Sequence, residues 1–142
     1  GGSVTIKMKH NKGTCYCIGI RRAANAVTSF YDRALEPTGI TVNQFSLLMN
    51  LSRLGSGSIS ELAAYVGLER TTLTRTLKPL TERGFIKDVS EKGRRDKKLQ
   101  LTSLGKETLN KGIPLWESAQ SEIEARLGKE NLRWFFEISE KL

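Results

Sequence analysis

Apolar residues recur along this chain in steps of three and four, and polar interruptions divide that pattern into helices. From Cys15 onward, Tyr16, Ile20, Ala24, Val27, Tyr31 and Leu35 trace one face of a long amphipathic helix. Glu36-Pro37-Thr38-Gly39 should stop it. Thr41-Val42-Asn43-Gln44 has the form of a capping box, in which the threonine accepts an orphan backbone N–H and the glutamine reaches back. It opens a helix whose apolar residues are Phe45, Leu47, Leu48, Leu51 and Leu54. Gly55-Ser56-Gly57 reads as a short hinge. Ser58-Ile59-Ser60-Glu61 is a second capping box; Leu62, Ala63 and Val66 then make a short apolar face, and Gly67 offers a stop.

A new helix begins near Glu69-Arg70, with Leu73, Leu77 and Leu80 at buried spacing. Its other faces carry Arg70, Thr71, Thr72, Thr74, Arg75 and Lys78, all hydroxyls or cations. Pro79 is expected to shorten or bend it after the turns that carry these side chains. Two short helices around a tight turn, the second polar and basic, are how a helix-turn-helix is built. Phe85 to Val89 and Leu99 to Leu101 then read as paired strands. The segment between them, Glu91 to Lys98, is too charged to be core. Alone it would be a solvated hairpin. Directly after a helix-turn-helix it reads as the basic wing of a winged helix, and the reading shifts to nucleic-acid contact.

Thr102 should cap another helix, along which Leu104, Leu109, Ile113, Trp116, Ala119, Ile123 and Leu127 follow helical spacing. Pro114 is expected to bend or interrupt it, and Gly128 breaks it. Leu132, Phe135, Phe136 and Leu142 form an apolar stripe on a final helix. The fold expected is mostly α with a small β-hairpin wing (α+β). Residues 37–102 form the winged helix-turn-helix, and residues 15–36 and 103–142 a helical dimerisation region. Residues 1–14 read as a flexible arm, with Gly1-Gly2-Ser3 a cloning remnant. Either the terminal helices pack within one chain or they pack across a two-fold axis; their surplus of apolar faces favours a homodimer.

Charge narrows the partner. Lys and Arg number 23 against 15 Asp and Glu, a net charge of +8, which favours polyanions through counterion release. No apolar run is long enough to span a bilayer. No apolar leader opens the chain, so a cytoplasmic address is expected. Enzymatic function fits poorly: there is no phosphate-cradling glycine loop, nucleophile elbow or HExxH, and His10 in the arm is a weak general base. No cofactor is implied.

Cys15-Tyr16-Cys17 is the second constellation of interest. A helix N-terminus lowers a thiol pKa, and Arg21 and Arg22 lie about a turn away, so a redox-active thiolate is physically reasonable. Residues two apart on a helix point to nearly opposite sides, so a bridge within the motif would need unwinding, whereas one between subunits would not. Plain buried or half-buried cysteines are the simplest reading, redox sensing the next. A metal site is the least supported, because two thiols and one histidine are few ligands.

The long first helix, the segment Ile40-Thr41-Val42-Asn43-Gln44-Phe45, the helix-turn-helix, the charged wing and Leu101-Thr102-Ser103-Leu104-Gly105 together resemble the MarR (multiple antibiotic resistance regulator) family. Its most specific pieces here are the LTxxG after the wing and the block ERTTLTRTLKPLTERGFI. The resemblance implies a homodimeric winged-helix transcriptional regulator on a palindromic operator in double-stranded DNA. Such proteins are often repressors, released by a small anionic or phenolic ligand or by thiol oxidation. One departure stands out. The family's wing often carries Asp, one residue, then Arg, six positions before the Leu of LTxxG. Arg95 fits the Arg, but Gly93 stands where the Asp would be, so the wing Arg lacks its usual acidic brace; Arg94 is placed to share its task. DNA contact is expected from Thr71, Thr72, Thr74, Arg75, Lys78, Arg94, Arg95 and Lys97. Tyr31, Phe45 and Trp116 are candidates to line an effector site, and Cys15 and Cys17 for redox control. Two other readings stay open: a winged-helix metal sensor using the C-x-C pair, and a winged-helix module that binds protein.

Overall fold

The computed structural model describes residues 15–93 and 95–142; the expected arm, His10 and Arg94 lie outside the described residues. Helix α1 (Tyr16–Ala34) ends where a 3-10 turn at Glu36–Thr38 leads to Gly39 in the left-handed region, φ 75°. Helix α2 (Val42–Leu54) starts at the expected capping box: Gln44 N–H donates to the Thr41 hydroxyl, and Thr41 N–H donates to the Gln44 side chain. Asp32 of α1 accepts from Val42 N–H at 2.7 Å, which joins the end of α1 to the start of α2. Helix α3 (Ile59–Val66) has the same reciprocal cap between Ser58 and Glu61 and stops at Gly67. The second helix of the pair, α4, spans Arg70–Glu82.

Strand β1 (Ser56–Ser58) corrects the hinge reading of Gly55-Ser56-Gly57. It pairs antiparallel with β3 (Lys98–Leu101), which also pairs with β2 (Ile86–Asp88), giving the order β1-β3-β2. The wing is thus a hairpin within a three-stranded sheet. Strand β1 carries no apolar side chain and hence no period-two signal; backbone pairing alone defines it. Gly57 lies so close to Leu54 that a Cβ there would stand 3.2 Å from its side chain.

The shortening expected at Pro79 and the interruption expected at Pro114 need correction. Helix α4 runs past Pro79 to Glu82, with Arg83 N–H bonding to the Pro79 carbonyl at 2.9 Å. Helix α5 runs unbroken through Pro114 from Ser103 to Leu127. Each proline forfeits one backbone bond. Both prolines, and the residues Arg75 and Asn110 whose carbonyls lose a partner, are exposed. Water can reach those carbonyls, so the loss is tolerable. After Gly128, α6 covers Lys129–Ile138.

The core lies in the winged helix. Leu35, Leu48, Leu62, Leu73 and Leu80 are wholly buried, and Phe45, Leu51, Leu77, Ile86, Leu99 and Leu101 close around them. The Thr102 of LTxxG ties three elements together. Its hydroxyl donates to the Gly84 carbonyl at 2.6 Å and accepts from Gly105 N–H at 3.0 Å, while its N–H donates to the Phe85 carbonyl at 3.0 Å. Helices α1 and α6 contrast with this: neither has a buried residue within one chain.

Candidate nucleic-acid interface

Helix α4 buries Leu73, Leu77 and Leu80, so the positions between them must face outward. Arg70, Thr71, Thr74, Arg75 and Lys78 line one open groove together with Lys97 of the wing. The groove runs between α4 and the hairpin, the two elements that a winged helix presents to a duplex. Of the expected contacts, then, Thr71, Thr74, Arg75, Lys78 and Lys97 are brought together. Thr72 and Arg95 are exposed but lie off this groove.

The hydroxyls on α4 differ in what they have left to offer. Thr74 donates to the Arg70 carbonyl at 2.8 Å, a bond back to its own helix. Its donor is therefore occupied, and it presents a methyl group and lone pairs. Thr71 and Thr72 make no such bond among the described residues, so their donors remain open. Arg75, Lys78, Arg95 and Lys97 form no ion pair among the described residues, leaving their full charge for a polyanion.

At the base of the wing, Ser90 N–H donates to Asp88 at 2.8 Å and its hydroxyl donates to the same carboxylate. These bonds, the hydroxyl's first, hold the Asp88 carboxyl below its ordinary range. The turn entering the wing is thus pinned by its own acid. Arg70 and Asp96, neither of them among the expected contacts, form an ion pair of 3.4 Å between α4 and the wing. Arg70 also donates to the Ser60 hydroxyl of α3 at 3.2 Å. Spacing offered a hint for Arg70 alone, since it lies one and two turns before Thr74 and Lys78.

Of the three aromatic candidates, Tyr31 is separated from the other two. Phe45 is buried and packs against Trp116 with ring centroids 6.0 Å apart, as part of the core. Tyr31 instead lines a largely apolar cavity of about 710 Å³ between α1, α5 and α6, beside Ile20, Val27, Ile123, Leu132 and Phe136. Its hydroxyl donates to Gln120. Burial, and after it the Glu124 carboxylate, push that hydroxyl's pKa upward.

Cys15 and Cys17 are both free and exposed, against the expectation of buried or half-buried thiols. Cys15 precedes α1 with extended backbone, φ −79° and ψ 121°, while Cys17 sits in its first turn. No group of three or more His, Cys, Asp or Glu side chains is placed to hold a metal among the described residues. No helix among them is long and apolar enough to cross a membrane.

Comparison with known proteins follows the same lines. The sequence profile described as the MarR family matches residues 40–93. A transcriptional regulator of Mycobacterium tuberculosis, MosR, solved in complex with DNA, is 37% identical; the match covers 90% of this chain and 98% of that one, with a TM-score of 0.76. An uncharacterised HTH-type transcriptional regulator of Bacillus subtilis, YwoH, is 31% identical over 83 residues, 58% of this chain and 61% of that protein. The match to this relative thus spans less than two thirds of its length. A MarR variant from E. coli, solved with operator DNA, shares the fold at 19% identity and a TM-score of 0.73, over 86% of this chain and 89% of that one.

Proposed function

The chain belongs to the MarR family of transcriptional regulators, which are not enzymes, and we propose that it acts as a homodimer on a pseudo-palindromic operator. One observation carries the DNA-binding reading: Arg70, Arg75, Lys78 and Lys97 line a single groove between α4 and the wing. The likeness to a regulator solved on DNA supports it. In this reading α4 enters the major groove and the wing lies on the flanking backbone or minor groove. The dimer reading draws on α1 and α6. They carry Ile20, Val27, Phe135 and Phe136 yet bury nothing within one chain. We assign the cavity between α1, α5 and α6 to the helices of the partner protomer. Two-fold symmetry then inverts the half-sites, with centres roughly 10 base pairs apart. Occupying an operator in this way most simply represses.

The experiment is a salt titration on a duplex selected from a random pool and on its scrambled counterpart. Arg75→Ala should cost about 1–3 kcal/mol on the selected duplex and relax preference at one position per half-site. Replacing Arg94 and Arg95 by alanine should weaken both duplexes alike and flatten the salt dependence, because fewer counterions are released. Equal weakening of both duplexes by Arg75→Ala, with discrimination lost only in the wing variant, would reverse the two roles. No change in either variant would remove DNA from this surface.

Control by thiol oxidation is favoured by the exposure of both cysteines. Because Cys15 lies before the helix, joining it to Cys17 would undo only the first turn of α1, and a bridge between protomers would undo none. Replacing both by serine should leave the affinity of the reduced protein within a few-fold, since neither thiol lines the groove beside α4. Peroxide should then release DNA from the wild type and not from the double variant; identical behaviour would reject sensing. A small anionic or phenolic effector could release DNA only by binding better to the arrangement of lobes that fails to match the half-sites. The cytoplasm is the compartment where such a regulator meets DNA.

A further inference from the structure

The described residues of the wing loop, 89–93 and 95–97, have few anchors. Val89 N–H donates to the Lys98 carbonyl at 2.7 Å and Ile59 N–H to the Lys97 carbonyl at 3.2 Å, both backbone bonds at the base. Beyond these, two side chains of the loop make bonds among the described residues: Ser90 to Asp88 of the adjoining β2, and Asp96 to Arg70 of α4, the one of the two that leaves the hairpin. This is also the one ion pair among the described residues that joins two elements, the other two lying four residues apart on a single helix.

Arg70 needs that partner. It opens α4, where the helix dipole presents its positive end and disfavours a cation. No acidic residue lies in the first turn, and Glu69 at the N-cap makes no side-chain bond to the helix. Asp96 thus offsets a local conflict in α4 while tethering the wing. Ser60 of α3 holds the other side of the same guanidinium, so the wing is referred to both helices of the helix-turn-helix. Asp96 also stands between Arg95 and Lys97 in sequence.

We propose that Asp96 is a positioning residue for DNA recognition: by holding Arg70 it sets the wing cations at a fixed offset from the base-reading face of α4. This rests on the DNA-binding reading above. It also answers the missing acid at Gly93. The brace comes from three positions further along, and it is anchored on the recognition helix instead of on Arg95.

The sign of the effect makes the idea testable. Removing a carboxylate from a DNA-facing surface should, on charge alone, tighten binding to every duplex. A lost tether does the opposite on the preferred site. Asp96→Asn in the full chain should weaken binding to the selected duplex about three- to five-fold, the scale of an exposed ion pair. Binding to the scrambled duplex should be unchanged or tighter. Amide hydrogen exchange at residues 90–97 in the DNA-free protein should quicken by about the same factor, and Arg70→Ala should quicken it equally. Combining the two substitutions should quicken it no further, and Asp96→Glu should restore most of both readouts. Unchanged exchange in Asp96→Asn, or tighter binding to both duplexes, overturns the assignment alone. A wild-type chain that selects no duplex from a random pool overturns the DNA-binding reading and this assignment with it.

Discussion

Gly105→Ala should melt roughly 6–10 °C below the wild type, from a net loss of about 2 kcal/mol. A Cβ built at Gly105 would lie 2.0 Å from the Phe85 carbonyl oxygen, a backbone atom fixed at the start of the hairpin. That oxygen already accepts from Thr102 N–H, so it cannot retreat without breaking the joint between the start of the hairpin and the head of α5. Overpacking of this kind costs about 3 kcal/mol at the upper end of its usual range. Alanine's better helix propensity returns about 1 kcal/mol. Calorimetry on the purified variant settles the matter: a midpoint within a degree of wild type would mean that α5 shifts freely and the close approach is not needed. The glycine of LTxxG is, on this account, a packing requirement.

The second large effect concerns assembly. Phe135→Asp combined with Phe136→Asp should convert the proposed dimer to monomer and lower affinity for the selected duplex by about 100-fold or more. The loss reflects surrendering one of two linked half-site contacts. Both side chains are exposed within one chain, 53% and 81% respectively, so the substitutions leave the core untouched. Deleting residues from Gly128 onward should give monomer or aggregate, because it also uncovers the apolar side of α5. Sedimentation velocity reads both. A soluble dimer with undiminished affinity in either variant would show that the terminal helices do not hold the protomers together.

The parts of the fold legible in the sequence are those whose cause is local. Both capping boxes are reciprocal bonds between residues three apart, so their four letters carry the whole mechanism. The spacing of Leu73, Leu77 and Leu80 likewise determines which side of α4 faces outward, and with it most of the basic groove. What escaped has a cause spread over distance. Strand β1 is Ser56-Gly57-Ser58, and nothing in those residues speaks of a strand until β3 is placed beside them. Pro79 is expected to shorten or bend its helix and Pro114 to bend or interrupt its own, but the cost depends on whether the orphaned carbonyl reaches water. The pairing of Arg70 with Asp96 spans 26 residues and follows from the path of the hairpin. Tyr31, Phe45 and Trp116 look alike as aromatic positions on amphipathic helices. Only the rotation of each helix about its axis separates the core pair from the residue that faces the cavity.

The three-stranded sheet has a bearing on the protein's behaviour at high concentration. Its outer strands, β1 and β2, are each three residues long, and β2 carries Lys87 and Asp88 at exposed positions. A free strand edge is a template on which another chain can add itself, and long, flat, apolar edges are the dangerous ones. Edges this short offer a newcomer a pair or so of backbone bonds at most, and on one side they require it to lie against charge. Disordered stacking of sheets therefore gains little here, which suits a chain proposed to pair through α1 and α6 instead.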